Sequence, residues 1–208
     1  MNHRHAWSLA FSIMFCLGVL HITPASAQSA ESRAAHARAM ANYARGEADQ
    51  AMLDLTEAIQ LDPQNAAALA ERGSMHLGRG NFDQAMADFN EAIRIDVESG
   101  AGYGGRAYAH FLNRNFDAAL SDYDQAIRIR PRDAELYGLR GAIHEIVGNL
   151  DMALADHNES IRLNPRDAIA WFTRGEHYEK RGELQRADAD FEQAFRLQPD
   201  LSRYRRRR

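Results

Sequence analysis

The feature that most restricts how this chain can fold is a period of 34 residues. Counting back from Pro199 reaches Pro165, Pro131, Val97 and Pro63, so four of five units keep a proline where a helix must stop. A second column reads Gly46, Gly80, Arg114, Gly148 and Gly182. Three more hold small residues: Ala39, Gly73, Ala107, Gly141 and Gly175, then Ala51, Ala85, Ala119, Ala153 and Ala187, then Ala58, Ala92, Ala126, Ser160 and Ala194. Small side chains at helical spacing let paired helices approach closely, and Phe89, Tyr123 and Phe191 fill the gaps beside them. Five units fit without a gap, at 32–65, 66–99, 100–133, 134–167 and 168–201. Such a chain has no single central core, because each unit buries what its neighbour leaves uncovered.

The last unit displays the pattern most fully. Trp171, Gly175 and Tyr178 share one face of a first helix, Gly182 breaks the chain, and Ala187, Phe191, Ala194 and Phe195 mark the buried face of a second helix that Pro199 ends. This layout resembles the tetratricopeptide repeat (TPR), a 34-residue helix–turn–helix with a W…L-G…Y…A…F…P signature. Arg174 stands where that signature has Leu. The resemblance implies an all-α, right-handed α-solenoid of five TPR helix-turn-helix units. It implies no cofactor, and it implies other proteins as partners, taken as peptide or helix segments in a concave groove lined by the first helices. Carried over by column, that groove presents Tyr43, Leu77, Tyr108, Phe111, Glu145, Phe172, Glu176 and Glu179. Its surface then runs from mildly basic through apolar to acidic, with Tyr108 and Phe111 as the expected anchors. TPR groups that clamp a terminal carboxylate use Lys and Asn, whereas Met40, Ser74 and Ala70 stand at the matching places, so that ligand is not expected here.

Three stretches depart from the pattern. The first unit has Ala35 where the last has Trp171 and reads as an alanine-rich lid, starting near Ser32 as helix cap after a short disordered leader at 28–31. The third unit crowds Gly100, Gly102, Gly104 and Gly105 into its first helix, either as drift in a stable scaffold or because bare backbone at Gly102 and Gly104 admits a ligand chain. It also puts Arg114 in the turn column, which predicts that Asn113 or Asn115 takes the left-handed position. The array then ends at Leu201, leaving the outer face of the last helix, with Phe195 and Leu201, partly bare unless Tyr204 folds over it. A bare solenoid end is a surface for self-association.

Two charged columns are unbroken. Arg38, Arg72, Arg106, Arg140 and Arg174 each precede by 16 residues a member of Asp54, Asp88, Asp122, Asp156 and Asp190. A pair in every unit reads as a structural ladder bridging helices, within a unit or to the next, worth about 0–1 kcal/mol per pair if exposed. His76, His110 and His144 form a third column, with His177 one residue off register. Equivalent residues of successive units lie about 10 Å apart or more, given helix spacings of 8–10 Å, so one ion cannot join two members of the column. No metal site is expected. The chain also lacks a nucleophile elbow, a phosphate-cradling glycine loop, a HExxH helix and paired cysteines, so no catalytic set is legible.

The termini carry separate signals. His3, Arg4 and His5 precede an apolar run from Ala6 to Leu20, and Ala25-Ser26-Ala27 follows, the order of a secretory signal peptide cleaved after Ala27. Fifteen apolar residues fall short of the ~20 of a spanning helix. Lipoprotein processing at Cys16 is the competing reading, and Phe15 is bulky for it. Cleavage at 27 removes Cys16, the only cysteine, and places the mature protein in the periplasm or outside the cell. The near-exclusive use of arginine, with Lys180 the only lysine, fits a bacterial source. Residues 202–208 form a basic tail in which Arg203, Arg205, Arg206, Arg207 and Arg208 are the one expected membrane contact. An acidic array argues against nucleic acid. The expectation is thus an exported, non-catalytic scaffold. The alternatives are a histidine-dependent ligand-binding protein or enzyme, or an envelope-tethered assembly factor using the arginine tail.

Overall fold

The computed structural model describes residues 25–205, the first four of them as backbone alone. Ten α-helices and one 3-10 turn make up the described residues, with no strand among them. They fall into five pairs: α1 (Ala25–Ala44) with α2 (Ala48–Leu61), α3 (Ala66–Gly78) with α4 (Phe82–Ile95), α5 (Gly100–Leu112) with α6 (Phe116–Ile129), α7 (Ala134–Ile146) with α8 (Leu150–Leu163), and α9 (Ala168–Lys180) with α10 (Leu184–Leu197). Each helix packs on its mate, and each second helix packs on the first helix of the next unit. First helices also meet one another, α3 with α5 and α7 with α9, while second helices make no contact of that extent. The first helices therefore lie on the inside of the curve.

The same backbone chemistry ends every unit's first helix. Gly80 takes φ +77°, its N–H donates to the Leu77 carbonyl at 3.0 Å, and the Asn81 N–H reaches back to the His76 carbonyl at 2.9 Å. That closure satisfies carbonyls the helix would otherwise leave unpaired. It recurs at Glu47, Asn115, Asn149 and Glu183. In the third unit Arg114 itself adopts φ +60°, so neither Asn113 nor Asn115 takes the left-handed position. The repeat geometry dictates which residue must turn, and side-chain preference does not move it. Between units, Asn65, Ser99, Asp133 and Asp167 accept hydrogen bonds from N–H groups of the helix that follows. Val97 replaces proline without disturbing its turn, which the Ser99 N–H closes on the Asp96 carbonyl at 2.9 Å.

The first unit departs from the expected start. Helix α1 begins at Ala25, so the segment 28–31 is helical, and Ser32 is a buried residue inside the helix. Glu31 occupies the column of the capping residues, and an alanine-rich run offers no stop signal. Ser32 Oγ donates to the Ala58 carbonyl at 2.7 Å and accepts from Asn65 Nδ2 at 2.9 Å, which ties the lid to the second unit. The remainder of the expected signal segment, 1–24 with Cys16, lies outside the described residues, as do Arg206, Arg207 and Arg208.

At the far end the 3-10 turn Pro199–Arg203 brings the chain back, but Tyr204 points away and is 67% exposed. Arg205 does the covering instead, its guanidinium 4.5 Å from the Phe191 ring centroid and paired with Asp188. Phe195 stacks on Phe191 at 6.0 Å and stays half-buried, as does Leu201.

Candidate interaction groove and a buried polar cluster

The arginine and aspartate columns set the spacing of the inner wall. Arg106 meets Asp122 through Nε and Nη2 at 2.8 and 2.7 Å, and Arg72–Asp88, Arg140–Asp156 and Arg174–Asp190 repeat that two-pronged contact. The third nitrogen crosses to the preceding unit: Arg106 to Asn90, Arg140 to Asp124 and Arg174 to Asn158, at 2.6 to 2.8 Å. One guanidinium thus fixes both the pairing within a unit and the stacking of units. These pairs are largely shielded from solvent. The aspartates are 5–6% exposed in these four units, and Arg106, Arg140 and Arg174 are covered on one side by Tyr103, Tyr137 and Trp171. Arg38 is the exception: half-exposed, it meets Asp54 through Nε alone at 2.9 Å and sends its other arm to Glu57. Burial opposes the charge on Asp54, yet hydrogen bonds from Arg38, Gln50 and Asn42 hold its carboxyl below the usual range.

Recesses lie along the inner wall between neighbouring units. One of ≈ 300 Å³ lies between the first two units beside Met40, Tyr43 and Met75. The central one, ≈ 330 Å³, is lined by Ser74, Ala101, Gly104, Tyr108 and Leu139, with Arg130 and Glu135 on its polar side. A third of ≈ 490 Å³ runs past Gly138, Leu139, Ala142 and Ile169. Tyr108 is 39% exposed and stacks on Phe111 at 6.0 Å, which rests on Phe116 and the core of the third unit. Of the two expected anchors, Tyr108 is therefore the reachable one, and Phe111 supports its ring.

Several expected groove residues sit elsewhere. Leu77 is 8% exposed and packs with Ala85, Phe89 and Ala109, because the turn at Gly80 folds the end of α3 inward. Phe172 lies against Phe191 and Phe195 at 5.3 and 6.3 Å, filling the core of the last unit. Tyr43 is 60% exposed at the first recess, Glu176 is exposed and Glu179 half-buried. Of the two glycines expected to bare the backbone, only Gly104 faces a recess. Gly102 is buried, and a Cβ there would meet Ile93 at 3.0 Å.

Glu145 is the largest correction. Its side chain is 8% exposed, and Oε1 accepts from His177 Nδ1 at 3.0 Å and His157 Nε2 at 3.3 Å, while Lys180 holds Oε2. Burial works against its ionisation, but the hydrogen bonds from His157, Lys180 and His177 outweigh it and set the carboxyl at about 2. A groove ligand cannot use this group. The histidine column itself stays within units, His110 Nε2 lying 3.9 Å from Asp122 and His144 Nδ1 3.5 Å from Asn149. The rings that meet are His157 and His177, their centroids 6.0 Å apart and both almost fully buried. Sequence reasoning overlooked His157, whose equivalents Leu55, Phe89, Tyr123 and Phe191 made an apolar filler the expected residue at that position.

Family comparison agrees with this geometry. Family models described as tetratricopeptide repeat match residues 32–99 and 105–161, and again 168–201. No protein of curated function matches the chain. Among solved structures, TTC0263, a thermophilic TPR protein in Thermus thermophilus, superimposes with a TM-score of 0.70 at 24% identity over 83% of this chain and 96% of its own. YrrB, a TPR protein with an unusual peptide-binding site, gives 0.61 at 22% identity over 80% and 86%. Pseudomonas aeruginosa pilF gives 0.76 at 16% identity over 82% and 78%. At these identities the likeness is one of fold.

Proposed function

The chain belongs to the tetratricopeptide repeat family, and from that premise we propose that it acts by binding alone, as a scaffold that seats a peptide or helix of another protein in the groove of its first helices. The observation that carries this reading is the central recess, where half-buried Gly104 lies beside the exposed ring of Tyr108 and the aliphatic Leu139. An aromatic anchor beside a glycine, where no side chain fills the recess, suits a partner segment that inserts one apolar side chain. Arg130 and Glu135 at the rim would orient its polar groups. A photo-crosslinking residue at position 108 should trap a partner polypeptide that the same residue at position 53, on the outer helix α2, does not. Equal labelling from both positions would remove the groove from consideration.

Export to a bacterial envelope is part of the same proposal. Its support is the basic start, the apolar run and Ala25-Ser26-Ala27. Cleavage after Ala27 would take only the first three residues of α1 and leave the buried Ser32 in place. Among the described residues no helix is long and apolar enough to cross a membrane. Mass spectrometry of the mature protein should give Gln28 as its first residue. An intact Met1 in the cytoplasmic fraction would overturn export.

A further inference from the structure

We propose that Glu145, His157 and His177 form a binding site for one zinc ion that ties the fourth unit to the fifth. The three donors come from three helices, α7, α8 and α9, and their ligand atoms lie within 4.8 Å of one another. Zinc holds nitrogen and oxygen ligands at about 2.0–2.1 Å, so tetrahedral ligands stand roughly 3.3 Å apart. Two edges of the triangle already have that length, 3.0 Å from Glu145 Oε1 to His177 Nδ1 and 3.3 Å to His157 Nε2. The third edge is at most 4.8 Å, so closing it brings the two ring nitrogens together by up to about 1.5 Å. Two imidazoles and one carboxylate form a donor set that suits zinc and leaves a fourth position open, whereas magnesium and calcium favour oxygen ligands throughout.

The repeat itself shows that the scaffold does not require these groups. The positions equivalent to His157 hold Leu55, Phe89, Tyr123 and Phe191, those equivalent to His177 hold Ala41, Met75, Ala109 and Ile143, and those equivalent to Glu145 include Leu77 and Phe111. The Glu145 column also holds Tyr43 and Glu179, but only in the fourth and fifth units do polar members of all three columns converge, at Glu145, His157 and His177. His157 fits because Gly141 leaves room, a Cβ on Gly141 lying 2.9 Å from His157 Cε1. Lys180 contacts the other carboxylate oxygen and is 61% exposed, so its ammonium can remain beside the site or swing into solvent. Each ring donates an N–H to Glu145 Oε1. On metal binding that nitrogen gives up its proton and the neutral ring carries one on the far side.

The test is titration of the tag-free, chelator-stripped full chain with zinc chloride by calorimetry, with magnesium and calcium chlorides as controls. One equivalent of zinc should bind, the thermal midpoint should rise with it, and magnesium and calcium should do neither. His157→Phe copies Phe89 and Phe191 and keeps the packing, so it should fold and weaken zinc binding at least tenfold. If that variant fails to fold, His177→Ile, which copies Ile143 of the preceding unit, serves the same purpose. Absence of saturable binding at one equivalent overturns the proposal, as does affinity unchanged in both variants, which would place the zinc on other histidines.

Discussion

Gly105 and Phe89 touch so closely that a Cβ on the glycine would lie 2.3 Å from Phe89 Cε1, across the junction of the second and third units. Phe89 is fully buried and has no room to retreat. Gly105→Ala should therefore destabilise the protein by about 1–3 kcal/mol, the range for overpacking a filled core, as read from urea denaturation. Gly104→Ala, whose new Cβ would stand 3.3 Å from Leu136 Cδ2, should cost distinctly less while narrowing the central recess. Similar losses from both would contradict the packing described.

Arg114 occupies a left-handed position that the other four units give to glycine. A side chain there costs about 1–2 kcal/mol, part of which the greater entropy of an unfolded glycine takes back. Arg114→Gly should raise stability by up to about 1 kcal/mol, visible as a higher urea midpoint with unchanged slope. A lower midpoint would mean that Arg114 makes a compensating contact.

The two-pronged pairs should be worth more than surface pairs. Removing Asp122 leaves the Arg106 guanidinium, only 23% exposed, without its main partner. Asp122→Ala should cost about 1–3 kcal/mol, below the figure for a fully buried pair because Arg106 still reaches water and Asn90. Asp54→Ala should cost less, since Arg38 is half-exposed. A double-mutant cycle between positions 106 and 122 isolates the coupling.

Leu77 and Tyr108 separate core from groove. Leu77→Ala should lose about 2–4 kcal/mol, as a buried leucine beside Phe89 does when truncated. Tyr108→Ala should leave stability within about 1 kcal/mol and abolish partner capture. Circular dichroism melts and the crosslinking assay read the two effects independently.

Asp54 supplies an acid-sensitive contribution at the first unit. Its folded carboxyl is held below the ordinary 3.8, so the unfolded chain binds the proton first as the pH drops. The stability it contributes is present above that value and is lost as the pH falls through the lower folded one. Asp54→Asn should flatten the dependence of the urea midpoint on pH below about 4. An unchanged slope would show that Asp54 is not held in its ionised form by Arg38, Gln50 and Asn42.

Much of the fold was legible in the chain, because a repeat states each rule five times. The helix pairs, the turns and the pairing of Arg72 with Asp88 all follow from columns, and a column averages over the accidents of one unit. What resisted was whatever breaks the average. Leu77 and Phe111 share a column with Tyr43, so register alone could not tell which of them faces solvent. His157 was hidden by its own column, where Phe89 and Phe191 made an aromatic filler the expected residue.

The sequence by itself determined a stack of five helical pairs, since spacing along one chain decides which residues share a helix face and where each helix must end. Only the tertiary structure decided which groups meet across units. Glu145 and His177 are 32 residues apart, two short of the period, and whether they touch depends on the rotation and offset between neighbouring pairs. That offset is set by the summed packing of α7, α8 and α9, a property of volumes in three dimensions that no single column records.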